Sequence, residues 1–212
     1  MIKRCFDIIV SLCALTILAI PMALIAILVR LTLGKPVLFW QERIGLGGEP
    51  FHIIKFRTML GATDANGDNL ADEARLTAIG RILRSTSVDE LPEIWNILRG
   101  DMSLVGPRPL LPEYLPYYLP EQMRRHEVRP GLTGLAQVNG RNKQSWDDRF
   151  RLDVEYVETQ TLRGDLVILL KTVLRVFTRQ GVSAEGHETM PRFDDQVKAG
   201  LARGQMTEDT PT

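Results

Sequence analysis

The hydrophobic pattern changes character along the chain, and each change predicts an element. From Ile8 to Val29 no charged residue occurs, a run that matches the ~20 apolar residues needed to cross a bilayer as a helix. It is too long for a signal-peptide core and has no small-residue cleavage site, so it is expected to be retained. Pro21 falls inside it, removes a backbone donor and predicts a kink near Ile20. Val37 to Trp40 and Phe51 to Phe56 read as short strands paired across Gly45, Gly47 and Gly48, with Lys55 and Arg57 at the edge of a small sheet. Gly61 to Asn69 has the composition of a surface loop. Helical spacing returns from Leu70 to Ser85 and from Asp89 to Leu98, with a stop at Gly100.

Pro107, Pro109 and Pro112 then interrupt the chain, and Tyr114, Tyr117 and Tyr118 follow among Leu115 and Leu119. Such a segment suits either a membrane interface or packing against the domain. From Asp165 to Gln180, Leu166, Leu169, Leu170, Val173, Leu174 and Phe177 make one broad face, while Lys171, Arg175 and Arg179 recur every four residues on another. In a soluble protein this is a core helix with a solvated face; beside a membrane segment it is an interfacial helix. Periodicity is lost after Gly181, and Lys198 to Thr212 has the composition of a disordered tail. The expected organisation is a membrane helix over 1–34, a cytoplasmic or interfacial catalytic domain over 35–197 and a tail over 198–212. The fold class is α+β, mostly helical, with interfacial amphipathic helices and a small β-hairpin.

Charge sharpens the membrane reading. Lys3 and Arg4 flank one end of the apolar run and Arg30, Lys35 and Arg43 the other, so the positive-inside bias draws both ends to the cytoplasm. That suits a re-entrant helix; a kinked span is the alternative at this point, since Pro is tolerated in spanning helices. Over all 212 residues, 26 basic side chains balance 26 acidic ones, so the totals point away from nucleic acid as a partner. Cys5 and Cys13 both lie in the apolar stretch and have the spacing of neither a disulfide framework nor a metal site.

Candidate chemistry gathers at Asp89 and Glu90. These adjacent carboxylates follow Ser85, Thr86 and Ser87 and open a predicted helix, whose N-terminus favours negative charge. Ser87 and Glu90 also have capping-box spacing, a purely structural use; that cap puts Pro92 inside the helix, whereas a cap at Asp89 leaves it in the first turn. Lys55, Arg57, Arg81, Arg84, Arg108, Arg129 and Arg141 stand in short polar motifs beside Gly and Pro, a recurrence that fits a diphosphate site. A carboxylate among such cations also suits Mg²⁺ bridging phosphate oxygens.

The sequence resembles the monotopic phosphoglycosyl transferases, a family of bacterial sugar transferases. The motifs that carry the resemblance are KRCFDIIVS from Lys3, FWQERIGLGGEPFHIIKFRTM ending at Met59, AIGRILRSTSVDELPEIWNILRGDMSLVGPRPL ending at Leu110, and VRPGLTGLAQVNGRN from Val128 to Asn142. The ending GVSAEGHETMPRF, Gly181 to Phe193, is similar to that of the bacillosamine phosphate transferases of protein N-glycosylation. The resemblance implies that Asp89 attacks the sugar-bearing phosphorus of a UDP-sugar, UMP leaves, and undecaprenyl phosphate takes the sugar phosphate from the covalent intermediate with help from Glu90. It further implies Mg²⁺ on Asp89, a donor site lined by Lys55, Arg84, Arg108 and Asp153, and Pro107, Arg108 and Pro109 beside it. Arg57, Arg129, Asn139 and Arg141 complete the set of candidate substrate-binding residues. It also implies a helix that breaks at its proline and returns, a bacterial inner-membrane location with the catalytic part on the cytoplasmic face, and contact with membrane lipids. Departures from the family pattern are Leu135 where Trp is common, Glu93 where Gln is common, and Ile20 where Ser is frequent. A catalytically silent membrane scaffold is the competing reading, and formation of a homo-oligomer is left open.

Overall fold

A computed structural model of the chain describes residues 1–61, 72–140, 144–178 and 192–208. The fold is α+β and mostly helical, as expected. Helix α1, Ile2–Thr32, continues through Pro21. The expected hairpin forms from β1, Leu38–Ile44, and β2, Pro50–Phe56, which pair antiparallel with Phe39 opposite Lys55 and Arg43 opposite Phe51. The turn is a short 3₁₀ segment, Leu46–Gly48, in which Gly47 and Gly48 take the left-handed φ values of 68° and 85° that favour glycine.

The helix expected from Leu70 to Ser85 is two pieces among the described residues, α2, Asp72–Arg75, and α3, Ala78–Ser85. Thr77 divides them because its hydroxyl caps α3 by accepting from the Gly80 N–H. Gly80 is a packing requirement: a Cβ there would lie 1.9 Å from the Thr58 carbonyl oxygen. Helix α4, Glu93–Arg99, ends as expected at a left-handed Gly100. The fully buried Asn96 carboxamide fastens α4 to β2, donating to the His52 carbonyl at 2.8 Å and accepting from the Ile54 N–H at 3.1 Å.

Two three-residue strands that periodicity does not predict, β3 (Ser103–Val105) and β4 (Gly131–Thr133), pair in parallel. Glycine makes the pairing sterically feasible. Cβ atoms added at Gly106, Gly131 and Gly134 would lie 2.3, 2.0 and 2.1 Å from the facing backbone, so the SLVGPRP and RPGLTG stretches meet backbone to backbone. After α5, Pro120–Met123, and α6, Leu135–Asn139, the longer α7, Trp146–Thr159, and α8, Leu162–Thr178, complete the body.

Both halves of α1 pack on this body. Phe6 and Val10 join the core of Ile53, Ile97, Met102, Val105 and Tyr156, while Met22, Ile25 and Val29 join Phe56 and Leu83. Its N-terminal charges are bonded to the domain. Lys3 Nζ meets Asp165 Oδ2 at 2.6 Å, Arg4 donates to the Ile97 and Leu98 carbonyls at 2.6 and 2.8 Å, and buried Asp7 accepts from Ser103 Oγ and the Leu104 N–H at 2.9 and 3.1 Å. The Tyr114 segment takes the packing alternative: Tyr114 is buried with Trp146, Phe150 and Phe193, and Tyr118 rings contact Phe150 and Phe193. The boundary expected at Lys198 falls inside α9, Phe193–Glu208. Burial of Phe193 and the bonds of Arg192 and Lys198 to Asp194 account for order that composition does not suggest.

Candidate active site

The site begins with a backbone irregularity. Ser87 adopts the left-handed conformation, φ 57° and ψ 20°, and is followed by a 3₁₀ turn over Val88–Glu90. L-residues with side chains seldom take that conformation. The expected helix start at Asp89 is therefore corrected: α4 begins only at Glu93, behind Pro92, and Ser87 makes no capping bond. The turn, rather than a helix end, sends Asp89 and Glu90 into different surroundings.

Asp89 is 8% exposed and its carboxylate makes no hydrogen bond or ion pair with the described residues. Burial and the neighbouring Glu90 push its pKa up to about 6, opposed by Lys55, Arg84 and Arg108. Glu90 is instead fully engaged. One oxygen, Oε1, accepts from Lys55 Nζ and from Arg108 Nη2, each at 2.6 Å. Burial alone disfavours its charge, but the two cations outweigh that and hold the carboxyl well below the usual range. Lys55 Nζ also lies 3.1 Å from Glu93, whose pKa burial pushes up to about 7.

These groups line a cavity of about 1300 Å³. One wall is apolar, with Leu18, Pro21 and Ile25 of α1 together with Phe39, Leu169 and Val173; another carries Lys55, Arg84 and Arg108. Arg84 is aimed by Thr58 Oγ1, which accepts from its Nε at 3.0 Å. Arg108 is aimed through its backbone. Its carbonyl accepts from Arg125 at 2.7 Å, and Arg125 is locked to Asp153 Oδ2 by bonds of 3.1 and 2.7 Å, both side chains being 1% exposed.

Of the expected site residues, the structure thus brings together Lys55, Arg57, Arg81, Arg84, Asp89, Glu90, Arg108 and Asp153 on one cavity. Two of them have other engagements there. Arg57 donates to the Leu33 and Lys35 carbonyls just beyond α1, and Asp153 acts on Arg108 through Arg125. Arg129 and the exposed Asn139 are not among the cavity residues, and Arg129 donates to the Gly100 carbonyl at 2.8 Å. Arg141 lies outside the described residues. Among the described residues no three His, Cys, Asp or Glu side chains group as a metal cluster. The unpaired Asp89 carboxylate fits Mg²⁺ nonetheless, because that ion takes one or two carboxylates and completes its shell with water and substrate phosphate.

Residues 1–179 match the family model described as bacterial sugar transferase. The chain belongs to that family. A bacterial sugar transferase of Bacillus subtilis, EpsL, is 48% identical over 192 residues, which cover 91% of this chain and 95% of that protein. The UDP-glucose:undecaprenyl-phosphate glucose-1-phosphate transferase of Caulobacter vibrioides is 44% identical over 189 residues, covering 83% of this chain and 70% of that one. The UDP-N-acetylgalactosamine-undecaprenyl-phosphate N-acetylgalactosaminephosphotransferase of Aeromonas hydrophila is 36% identical, covering 85% of this chain and 44% of that one.

Among the cavity side chains that sequence reasoning for this bacterial sugar transferase did not assign to the site are Arg43, Gln137 and Arg149. Arg43 had a signal: it alternates with Phe39 and Gln41 along β1, and all three line the cavity. Arg149 had one too, lying four residues before Asp153 on α7.

Proposed function

We propose that this chain is a phosphoglycosyl transferase that moves a sugar 1-phosphate from a UDP-sugar to undecaprenyl phosphate at a membrane surface. The observation that carries the reading is Asp89: a buried carboxylate without a partner among the described residues, surrounded by Lys55, Arg84 and Arg108, in a cavity with an apolar wall supplied by α1. No described residue bonds to that carboxylate, whereas a phosphorus electrophile held by those cations would give it a function.

In this reading an Asp89 oxygen attacks the sugar-bearing phosphorus, the bond to the nucleotide-side phosphate breaks, and UMP departs with the electron pair. An aspartyl phosphosugar remains, and a single difficult transfer becomes two easier ones. A phosphate oxygen of the lipid then attacks the same phosphorus and frees Asp89. Glu90 first serves to fix Lys55 and Arg108. Once substrate phosphate draws those cations away, its basicity rises and it can assist the acceptor phosphate. Bound Mg²⁺ would offset charge between Asp89 and the donor phosphates.

The docking of both halves of α1 on one body supports a re-entrant rather than spanning helix, with the body on the side where Lys3, Arg4, Arg30 and Lys35 reside. Inner membrane and cytoplasmic face follow from the positive-inside bias. The apolar face of α8 supports the same placement: Leu166, Leu170, Val173 and Leu174 are each about half exposed, as expected for a helix lying in lipid headgroups. The two relatives named for a substrate differ in their sugar, so the family does not select one. The Gly181 to Phe193 segment, most of which lies outside the described residues, makes a UDP-linked di-N-acetylated sugar the first donor to test.

The decisive experiment is intact-mass analysis of purified protein with a UDP-sugar and Mg²⁺ but no acceptor. Wild type should gain one phosphosugar and release UMP, chelation should abolish both, and Asp89→Asn should gain nothing. A donor-dependent adduct on Asp89→Asn would overturn the nucleophile assignment.

A further inference from the structure

Phosphate groups and lipid account for the cationic and apolar walls of the cavity but not for its neutral polar side chains. Thr133 of β4, Gln137 of α6 and Thr172 of α8 also line it. The two threonines are engaged within the protein. Thr172 Oγ1 donates to the Ile168 carbonyl at 2.8 Å, so its single hydrogen is used, and Thr133 Oγ1 is the donor in the 2.7 Å bond between the two hydroxyls. Gln137 differs from both. Its Nε2 and Oε1 are buried, and neither has a hydrogen-bond partner among the described residues; no other described side chain has two such atoms.

The backbone places this carboxamide near the chemistry. A Cβ at Gly134, one turn before Gln137, would lie 2.1 Å from the Gly106 carbonyl oxygen and 2.7 Å from Gln137 Oε1, so the amide packs over a bare Cα beside the segment that leads into Arg108. Arg108 in turn holds Glu90 at 2.6 Å, next to Asp89. Helix α6 is fixed on both sides of Gln137, with Ala136 and Val138 each 3% exposed. An unpaired buried amide is destabilising, and its complement is a neutral group that both donates and accepts. In a UDP-sugar the sugar has that character, through its hydroxyl and acylamino groups, and it is joined to the phosphorus that Asp89 attacks. The diphosphate is anionic and suits the cations, and the polyprenyl chain is apolar. Uracil is neutral and polar as well, but the whole diphosphate separates it from the sugar.

We propose that Gln137 hydrogen-bonds the sugar of the donor, with the Thr133 and Thr172 oxygens as further acceptors, and determines which sugar is transferred. The proposal rests on the phosphoglycosyl transferase reading and extends it from the phosphates to the sugar. A buried carboxamide discriminates because a sugar whose hydroxyl or acylamino group reaches it satisfies both sides of the bond, whereas a sugar with that group elsewhere leaves Gln137 unpaired. The threonine oxygens have lone pairs but no remaining hydrogens, so they take a donor from the ligand. No covalent bond changes at this subsite.

The experiment uses full-length protein in nanodiscs and Gln137→Met, a side chain of similar length without an amide. The probes are UDP-glucose, UDP-galactose, UDP-N-acetylglucosamine, UDP-N-acetylgalactosamine and a UDP-linked di-N-acetylated sugar. For the donor that wild type uses fastest, phosphosugar adduct formation at low donor concentration should slow about five- to a hundredfold in the variant, the range for two lost hydrogen bonds. The preference for that donor over the next best should shrink. UMP affinity and the KM for undecaprenyl phosphate should stay within about twofold of wild type. The melting temperature should hold or rise, because the wild-type amide has no partner in the ligand-free protein. A lowered melting temperature would make Gln137 a structural residue and overturn the proposal. Weakened UMP binding would assign the amide to the nucleotide, a raised acceptor KM would assign it to the lipid, and either overturns the proposal, as do unchanged adduct rates and preference. Absence of an adduct on wild type with every donor would instead overturn the reading beneath it.

Discussion

Replacing Asp7 with alanine should destabilise the whole protein and loosen the active site, although Asp7 lies in the apolar helix. Its carboxylate is 2% exposed and accepts two hydrogen bonds, from Ser103 Oγ at 2.9 Å and from the Leu104 N–H at 3.1 Å. Hydrogen bonds to a charged group contribute about 1.5–3 kcal/mol each. Their loss leaves a buried hydroxyl and a buried N–H unpaired, while removal of a desolvated charge offsets part of the damage. A net loss of about 3 kcal/mol follows, or about 6–12 °C in melting temperature for a domain of this size. Asp7→Asn keeps an acceptor for the Leu104 N–H, and the Ser103 hydroxyl can rotate to accept from the amide, so it should cost about half as much. Turnover should fall as well, since Arg4, one helical turn before Asp7, holds the end of α4, whose other end follows Asp89 and Glu90. Thermal unfolding in detergent and UMP release are the assays. An Asp7→Ala melting temperature within about 2 °C of wild type, or an Asn variant as damaged as the Ala variant, refutes the reasoning.

The re-entrant topology predicts that cysteines placed at Ile2 and at Lys35, in a background lacking Cys5 and Cys13, react from the same side of inner-membrane vesicles of known orientation; labelling of one site alone means the helix spans. His126 predicts acid sensitivity. Its Nδ1 faces the Gly45 carbonyl at 3.2 Å, its Nε2 is buried without a partner among the described residues, and burial followed by the adjacent Arg125 lowers its pKa to about 4. Between the unfolded value near 6.5 and about 4 the unfolded chain binds the extra proton, so this contribution declines as pH falls through that window and is flat below it. It amounts to about 3 kcal/mol. His126→Gln should show a shallower loss of melting temperature from pH 7 to 4.5 than wild type, and parallel curves would show the histidine to be uninvolved.

The sequence displayed those parts of the fold that repeat a local pattern. The apolar helix, the hairpin with its glycine turn, α8 and the stop at Gly100 all have a period or a punctuation mark. Strands β3 and β4 have neither: each is three residues long, and their pairing depends on the close approach of Gly106, Gly131 and Gly134, which no window of sequence contains. Helix α7 was hidden for another reason. Its inward face includes Asp153 beside Phe150 and Val154, and a buried charge interrupts the apolar stripe that marks a helix. Within the site, the motifs found Asp89, Glu90, Lys55, Arg84 and Arg108. Sequence alone did not separate residues that face the cavity with free charge from those spent on structure. Asp153 is committed to Arg125 and Arg57 to carbonyls beyond α1, and both commitments come from distant segments.

The bond between Lys3 and Asp165 joins residues 162 positions apart, and this imposes an order on biogenesis. When the first thirty or so residues leave the ribosome, the groups that later hold their charged end have not been synthesised. In the re-entrant reading proposed above, α1 therefore meets the bilayer before it meets the domain. Docking closes late, when the start of α8 emerges and Asp165 becomes available to Lys3 and Tyr156. The active-site turn precedes α4, and α4 is held by Arg4, so the cavity takes its final form only at that closure. On that reading, a nascent or truncated chain that ends before Asp165 is a membrane-bound species without a finished catalytic centre, and connectivity alone delays phosphosugar transfer until synthesis has passed that point.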